Sequence, residues 1–279
     1  MTNPTSIGLG TILAGRYELV AELARGAMGD VFEARDQLSG SKAAVKLLRA
    51  EYLADESMRR RFRREGAVLK ALNHPAIVRL LELGIDDEGL VFLVTEYVEG
   101  ETLAERLSNG PLTINEADSL VDALSSGLGA AHEHGVLHGD LKPANVIWPS
   151  EGSPRVVDFG ASKILGLDRL TATGEVSGTP AYMAPEVLTG KTDVDQRIDV
   201  YGLGVLLYEA LSGKKPFHDN HLGRLMMKID AGDCLPIDAI AEVPAAIARV
   251  IERAMHRNKD DRYAEMPDLR AAWHRGRGG

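Results

Sequence analysis

The spacing of apolar positions along this chain changes character near residue 99. Before it, short mixed runs bounded by turn residues predict strands over 17–23, 31–34, 43–48, 78–85 and 90–97. Leu38-Ser39-Gly40-Ser41 and Asp86-Asp87-Glu88-Gly89 supply two of the turns. One helix is expected inside this strand-rich part, over 57–72. There Phe62, Leu69 and Leu72 share a side, five arginines between 59 and 64 crowd the rest, and Asn73-His74-Pro75 ends it. After Glu99-Gly100 helices dominate. Thr113 followed by Glu116 is a capping-box pattern, and Leu120, Val121, Leu124, Leu128 and Ala131 recur at helical spacing. Gly135 offers the left-handed stop. Further helices are expected over 197–211, 222–231, 244–255 and 266–273. The stretch 1–16 reads as a flexible lead and 275–279 as a linker.

Composition narrows the class. A chain of 279 residues, 44% hydrophobic, fits one large domain or two lobes with a sizeable core. A net charge of -9, from 41 acidic and 32 basic residues, argues against non-specific binding to nucleic acid or to an anionic membrane. The arginine run at 59–64 is therefore read as a solvated helix face. Cys234 is the one cysteine, so no intrachain disulfide forms, and no basic segment followed by an apolar run opens the chain. Val200–Leu211, the most apolar stretch, is too short to span a bilayer. These features place the segment in the cytoplasm with no membrane contact of its own. The eight histidines show no zinc-ligand spacing with cysteine.

Three strings carry the candidate chemistry: His138-Gly139-Asp140-Leu141-Lys142-Pro143-Ala144-Asn145, Asp158-Phe159-Gly160 and Ala184-Pro185-Glu186. Upstream stand Leu23-Ala24-Arg25-Gly26-Ala27-Met28-Gly29-Asp30-Val31 and Ala43-Ala44-Val45-Lys46. Phosphoryl transfer asks little covalent help of a protein. It needs phosphates held in place, a metal that neutralises charge and a positioned acceptor hydroxyl. Glycines let backbone amides close over phosphates, and oxygen ligands such as Asn145 and Asp158 suit magnesium. A carboxylate such as Asp140 can orient a hydroxyl. Asp158 lies thirteen residues after Asn145, behind a short expected strand at 155–157, which a bare turn tripeptide would not require.

Together these strings resemble the eukaryotic-like (Hanks-type) bacterial protein serine/threonine kinases, over nearly the whole chain from Tyr17 to Trp273. The resemblance implies an α+β, bilobal protein-kinase fold. A small five-stranded antiparallel N-lobe with one main helix would occupy 17–97, and a larger, mostly helical C-lobe 98–274, with the hinge near Glu96 to Glu99. It implies ATP and Mg (or Mn) as cofactors, protein Ser/Thr hydroxyls as acceptors and autophosphorylation. Asp140 would be the catalytic base, and Lys142 would neutralise the transferring phosphate. Lys46 would bind the α- and β-phosphates, anchored by Glu65 nine residues before His74-Pro75. Asn145 and Asp158 would hold the metal. Ala24, Gly26 and Gly29 would cover the phosphates. Val31, Ala44 and Ile147 would sandwich adenine, with Glu96 and Val98 completing the cofactor set and Thr95 gating the pocket behind it. Leu69, His138 and Phe159 would stack as a spine. Glu186 would pair with Arg262, and Asp199 would bond backbone amides of the catalytic loop. Gly178-Thr179 with Tyr182 resembles the substrate-side loop. Some bacterial relatives dimerise through the N-terminal half, which suggests a homodimer, and many continue into a membrane helix and a sensor domain.

The sequence departs from the family pattern at two positions. Ala24 stands where the first loop glycine is usual, and Gly139 where arginine is usual, which makes this a non-RD kinase by resemblance. That arginine commonly binds a phosphate on the activation loop, so phosphorylation at Thr171 or Thr173 is expected to activate weakly, through Arg61 and Lys163 alone. Two other readings compete. A pseudokinase would use the fold as a binding module, but Lys46, Glu65, Asp140, Asn145 and Asp158 are all present. A small-molecule phosphotransferase shares the His-Gly-Asp string with Asn145, yet does not normally carry Lys142-Pro143 or the segment from Gly178 to Glu186.

Overall fold

Alternation builds the first part of the fold. In β3 (Gly29–Asp36) and β4 (Lys42–Leu48), Phe32, Ala34, Ala43, Val45 and Leu47 point one way into a core shared with Leu13, Tyr17, Leu19, Phe92 and Val94. A computed structural model describes residues 8–26, 29–48, 66–67, 69–86, 89–159, 180–191 and 193–278. The chain divides into two compact units, 1–73 with 78–98, and 74–77 with 99–279.

The first unit holds an antiparallel sheet of order β1-β2-β3-β4-β6-β5. Its other strands are β1 (Ile12–Leu13), β2 (Tyr17–Gly26), β5 (Leu80–Ile85) and β6 (Val91–Glu96). The five expected strands are thus joined by a sixth. The flexible lead expected over 1–16 is corrected here from Gly10 onward. Gly10 N–H donates to the Leu19 carbonyl at 2.7 Å, Leu13 is 1% exposed, and Arg16 donates to both oxygens of Asp36 at 2.8 and 2.6 Å. A buried carboxylate needs such a partner, and Arg16 supplies it across the sheet. Two register shifts in β2, between Leu19 and Ala21 and between Glu22 and Ala24, blur its alternation. Of the helix expected over 57–72, residues 66–67 and 69–71 are helical, with Leu69 and Leu72 buried; the remainder lies outside the described residues.

The second unit carries a small sheet, β7 (Gly100–Thr102), β8 (Val146–Pro149) and β9 (Arg155–Val156). Its helices are α1 (Leu103–Ser108), α2 (Ile114–Glu133), α3 (Pro185–Leu188), α4 (Arg197–Ser212), α5 (Leu222–Ala231), α6 (Ala245–Ala254) and α7 (Met266–Arg277). The expected capping box at Thr113 and Glu116 forms, and Gly135 follows α2 with φ +69°. A second box at Thr102 and Glu105 opens α1, which the apolar spacing does not predict because the helix is only six residues long. α4 is buried on almost every side, from Val200 to Leu211. The linker expected at 275–279 is also corrected: α7 runs on to Arg277, whose Nε donates to both oxygens of Asp118 at 3.0 Å. That long-range pair lies beyond anything a Gly-Arg-Gly composition shows. Residues 74–77 join this unit through the Val156 N–H to Ala76 carbonyl bond at 2.8 Å. Among the described residues no helix is long and apolar enough to cross a membrane.

Candidate active site

Strand register settles which residues share a face in the first unit. Ala24 pairs with Val31, Val31 with Lys46, and Ala44 with Thr95. Directly paired residues point the same way, as do residues two apart, so Ala24, Val31, Ala44, Lys46 and Thr95 occupy one face, opposite the core. Val31, Ala44 and Lys46 are half-buried there. Ala24 sits in the ladder without a positive φ, so alanine in place of the usual glycine costs the backbone nothing. Gly29 has a reason of its own. With φ +155°, a Cβ on it would lie 1.8 Å from the Leu47 carbonyl oxygen, so β4 alone excludes a side chain. Glu96 and Val98 close this unit; the Arg79 N–H donates to Glu96 Oε1 at 2.7 Å, and Glu96 N–H donates to the Arg79 carbonyl at 3.0 Å. Glu65 lies outside the described residues, as do Gly160, Arg61, Lys163, Thr171, Thr173 and Thr179.

The second unit brings Asp140, Lys142 and Asn145 together. Lys142 Nζ donates to Asp140 Oδ2 at 2.6 Å. The Asn145 amide nitrogen donates to the Asp140 carbonyl at 2.8 Å and to Asp140 Oδ2 at 3.2 Å. The 3-10 turn Pro143–Asn145 delivers Asn145 into β8, and its carbonyl accepts from Val157 N–H at 2.9 Å. Val146 pairs with Val156 and Ile147 with Arg155, so Asn145 before β8 and Asp158 after β9 stand at the same end of one hairpin. Asp158 has φ +61°, a left-handed conformation that aspartate tolerates better than most residues.

A buried aspartate fastens this loop from below. Asp199 sits in the first turn of α4 and is 1% exposed. Its Oδ2 accepts from His138 N–H at 2.9 Å, and its Oδ1 from Gly139 N–H at 2.8 Å. The expected backbone anchor is therefore present. His132 Nε2 donates to Oδ2 as well, at 2.8 Å, and sequence reasoning did not find that partner. Its only trace is a histidine in the last turn of α2, six residues before His138. Burial alone would raise the Asp199 pKa; the bonds from His132 and the Gly139 amide outweigh it and hold the carboxyl below its ordinary value. Gly139 itself has φ +74°, a conformation glycine adopts freely.

His138 is locked in one tautomer. Its Nδ1 accepts from Asp140 N–H at 3.2 Å, so Nε2 carries the proton and donates to the Val157 carbonyl at 3.0 Å. The ring meets Phe159 edge to face, with centroids 4.9 Å apart. Arg262 donates to both oxygens of Glu186 at 2.7 and 2.8 Å, as expected, and both residues are buried. The Tyr182 hydroxyl donates to Glu209 at 2.5 Å, a bond linking the end of the substrate-side string to α4.

The comparisons with known proteins agree with this geometry. A family model for the protein kinase domain matches residues 17–273. This chain belongs to the protein kinase family. It is 36% identical over 266 residues to the serine/threonine-protein kinase PknB of Mycolicibacterium smegmatis, covering 93% of this chain and 42% of that one. To PrkC of Bacillus subtilis, also named a serine/threonine-protein kinase, it is 32% identical over 94% of this chain and 41% of the relative. The crystal structure of the Mycobacterium tuberculosis PknI kinase domain superposes with a TM-score of 0.79 at 27% identity, covering 98% of this chain and 100% of that one. The chain is thus a bacterial-type serine/threonine protein kinase domain with the protein-kinase fold. It spans about two-fifths of the length of the curated relatives named here. Membership of the family implies use of ATP and a divalent metal ion, and protein substrates.

Proposed function

We propose that this domain transfers the γ-phosphate of ATP to serine and threonine hydroxyls of proteins, its own chain included. The observation that carries the reading is the cluster of Asp140, Lys142 and Asn145, held through the Asp199 anchor in the same unit. Both side-chain bonds to Asp140 fall on Oδ2, so Oδ1 would take the acceptor hydroxyl, which suits Asp140 as the base. Lys142 stands beside it, where it can neutralise the phosphoryl oxygens in flight.

The donor set fits magnesium. Asn145 presents its amide nitrogen to Asp140, so its amide oxygen is the end left for a cation, and the Asp158 carboxylate stands at the same end of the β8–β9 hairpin. Magnesium is commonly held by one or two such oxygens together with substrate phosphates, and when bound it supplies the charge that neutralises them. In the other unit, Lys46 would take the α- and β-phosphates with Glu65 behind it, under the loop of Ala24, Gly26 and Gly29. Val31 and Ala44 there would face adenine, and Glu96 and Val98 its hinge side. Gly139 would leave an activating phosphate at Thr171 or Thr173 without one strong partner.

Incubation of the purified domain with radiolabelled ATP and magnesium, beside Asp140→Asn, tests this. Label on Thr or Ser in the wild type, reduced at least about a hundredfold in the variant, is expected. Equal label in both would remove Asp140 from the chemistry. ATP binding without label in either would favour a pseudokinase.

A further inference from the structure

In a chain of net charge -9, residues 213–228 are locally cationic: Lys214, Lys215, Arg224 and Lys228 stand against Asp219 alone, with His218 and His221 between them. The segment joins α4 to α5 and takes in most of α5. Lys214, Lys215, His218, His221 and Arg224 are exposed. Two devices hold the charge in place. Lys215 Nζ lies 5.4 Å from the centre of the Tyr182 ring, a cation–π contact. Asp219 gathers Arg224 Nε and Lys228 Nζ at 3.1 Å each and accepts from His221 N–H at 2.9 Å. Those contacts, led by the His221 amide, hold its pKa down to about 2, so it remains an anion at neutral pH. One carboxylate therefore organises two cations and cancels only one charge. A recess of about 300 Å³ opens beside it, bounded by His218, Asp219, Asn220 and Arg224.

The patch is tied to the catalytic loop through α4. Gly202 on α4 packs on Leu141, where an added Cβ would lie 3.3 Å from Leu141 Cβ. Glu209, seven residues further along, holds the Tyr182 hydroxyl. That separation is about 10 Å along the helix axis, which an extended peptide covers in about three residues. Lys215 lies over the Tyr182 ring.

We propose that the basic segment 214–228 docks an acidic stretch of the protein substrate, whose carboxylates lie about three to six residues from the acceptor Ser or Thr. The proposal rests on the kinase reading above. Charge complementarity selects the partner: the remainder of the chain carries a net charge more negative than -9, while this surface is locally cationic and attracts an anionic segment.

The test uses short threonine peptides with glutamates about three to six residues to either side, and twins carrying glutamine there. Wild type and Lys214→Ala/Lys215→Ala/Arg224→Ala are compared by kcat/KM, and by fluorescence anisotropy of the labelled peptides. Preference for one glutamate peptide by about tenfold is expected, falling to about twofold in the variant and in about 0.5 M salt, with the glutamine twin unchanged. Lys214→Gln/Lys215→Gln is a second variant should the first fold poorly. Phosphorylation of all peptides at equal efficiency would overturn the docking proposal and leave the kinase reading standing. If nothing is phosphorylated, the kinase reading fails and anisotropy still decides: glutamate-peptide binding lost in the variant supports docking, and equal binding or none overturns it.

Discussion

Asp199 shows how one residue can set the catalytic loop. Three donors, from His132, His138 and Gly139, converge on its two oxygens in a buried site. Asparagine there offers one acceptor and turns an NH₂ toward an N–H, so Asp199→Asn should cost about 1–3 kcal/mol of stability at neutral pH. The dependence on acid has a defined sign. The folded carboxyl is held below its ordinary value, so its contribution is complete above about pH 4 and is lost as pH falls through the folded pKa. Thermal melts of wild type and variant from neutral to acid pH should therefore converge at the acid end; a constant gap would contradict the depressed pKa. The Asp199 bond to the loop was readable from the sequence through the family pattern. His132 was not, because a histidine at the end of an amphipathic helix looks the same whether or not a carboxylate waits beside it.

At the scale of elements, two helical glycines separate local propensity from packing. A Cβ on Gly204 in α4 would lie 2.8 Å from Met255 Cγ and 2.9 Å from Ala254 Cβ, so this glycine lets α4 and α6 approach. A Cβ on Gly129 in α2 would meet Met266 Cβ at 3.8 Å, an ordinary contact. Gly204→Ala should destabilise by about 1–3 kcal/mol, net of the helix-propensity gain, whereas Gly129→Ala should stabilise by up to about 1 kcal/mol. Denaturant melts of the two variants check the opposite signs. Helix positions themselves were largely legible. Apolar spacing and the Thr113 box located α2, and 222–231 coincides with α5. The two-residue β1, paired with Tyr17 and Glu18, was too short to show an alternation; the last turn of α7 was not legible because its partner, Asp118, is far away in sequence.

At the scale of the whole molecule, Arg262 is the knot of the second unit. It bonds Glu186 through two nitrogens, donates to the carbonyls of Arg197, His256 and Arg257, and lies 4.9 Å from the Tyr201 ring. One side chain thus joins α3, the start of α4 and the segment after α6. Arg262→Met leaves the buried Glu186 carboxylate unpaired and should cost about 3–5 kcal/mol, seen as a large drop in melting temperature. Glu186→Leu/Arg262→Met should recover part of it, since no buried charge then remains. A double variant as unstable as Arg262→Met alone would show that the carbonyl bonds carry the cost instead.

The sequence by itself determined the family, the change from strands to helices near residue 99, the longer helices, and the residue types that phosphoryl transfer needs, because these depend on local pattern and motif spacing. Tertiary structure alone decided that His132 joins the donors to Asp199, why Gly29 admits no side chain and Gly204 is crowded by α6 and Met255, and that Lys215 lies over Tyr182. Those facts depend on distances between residues far apart along the chain, which no local pattern encodes.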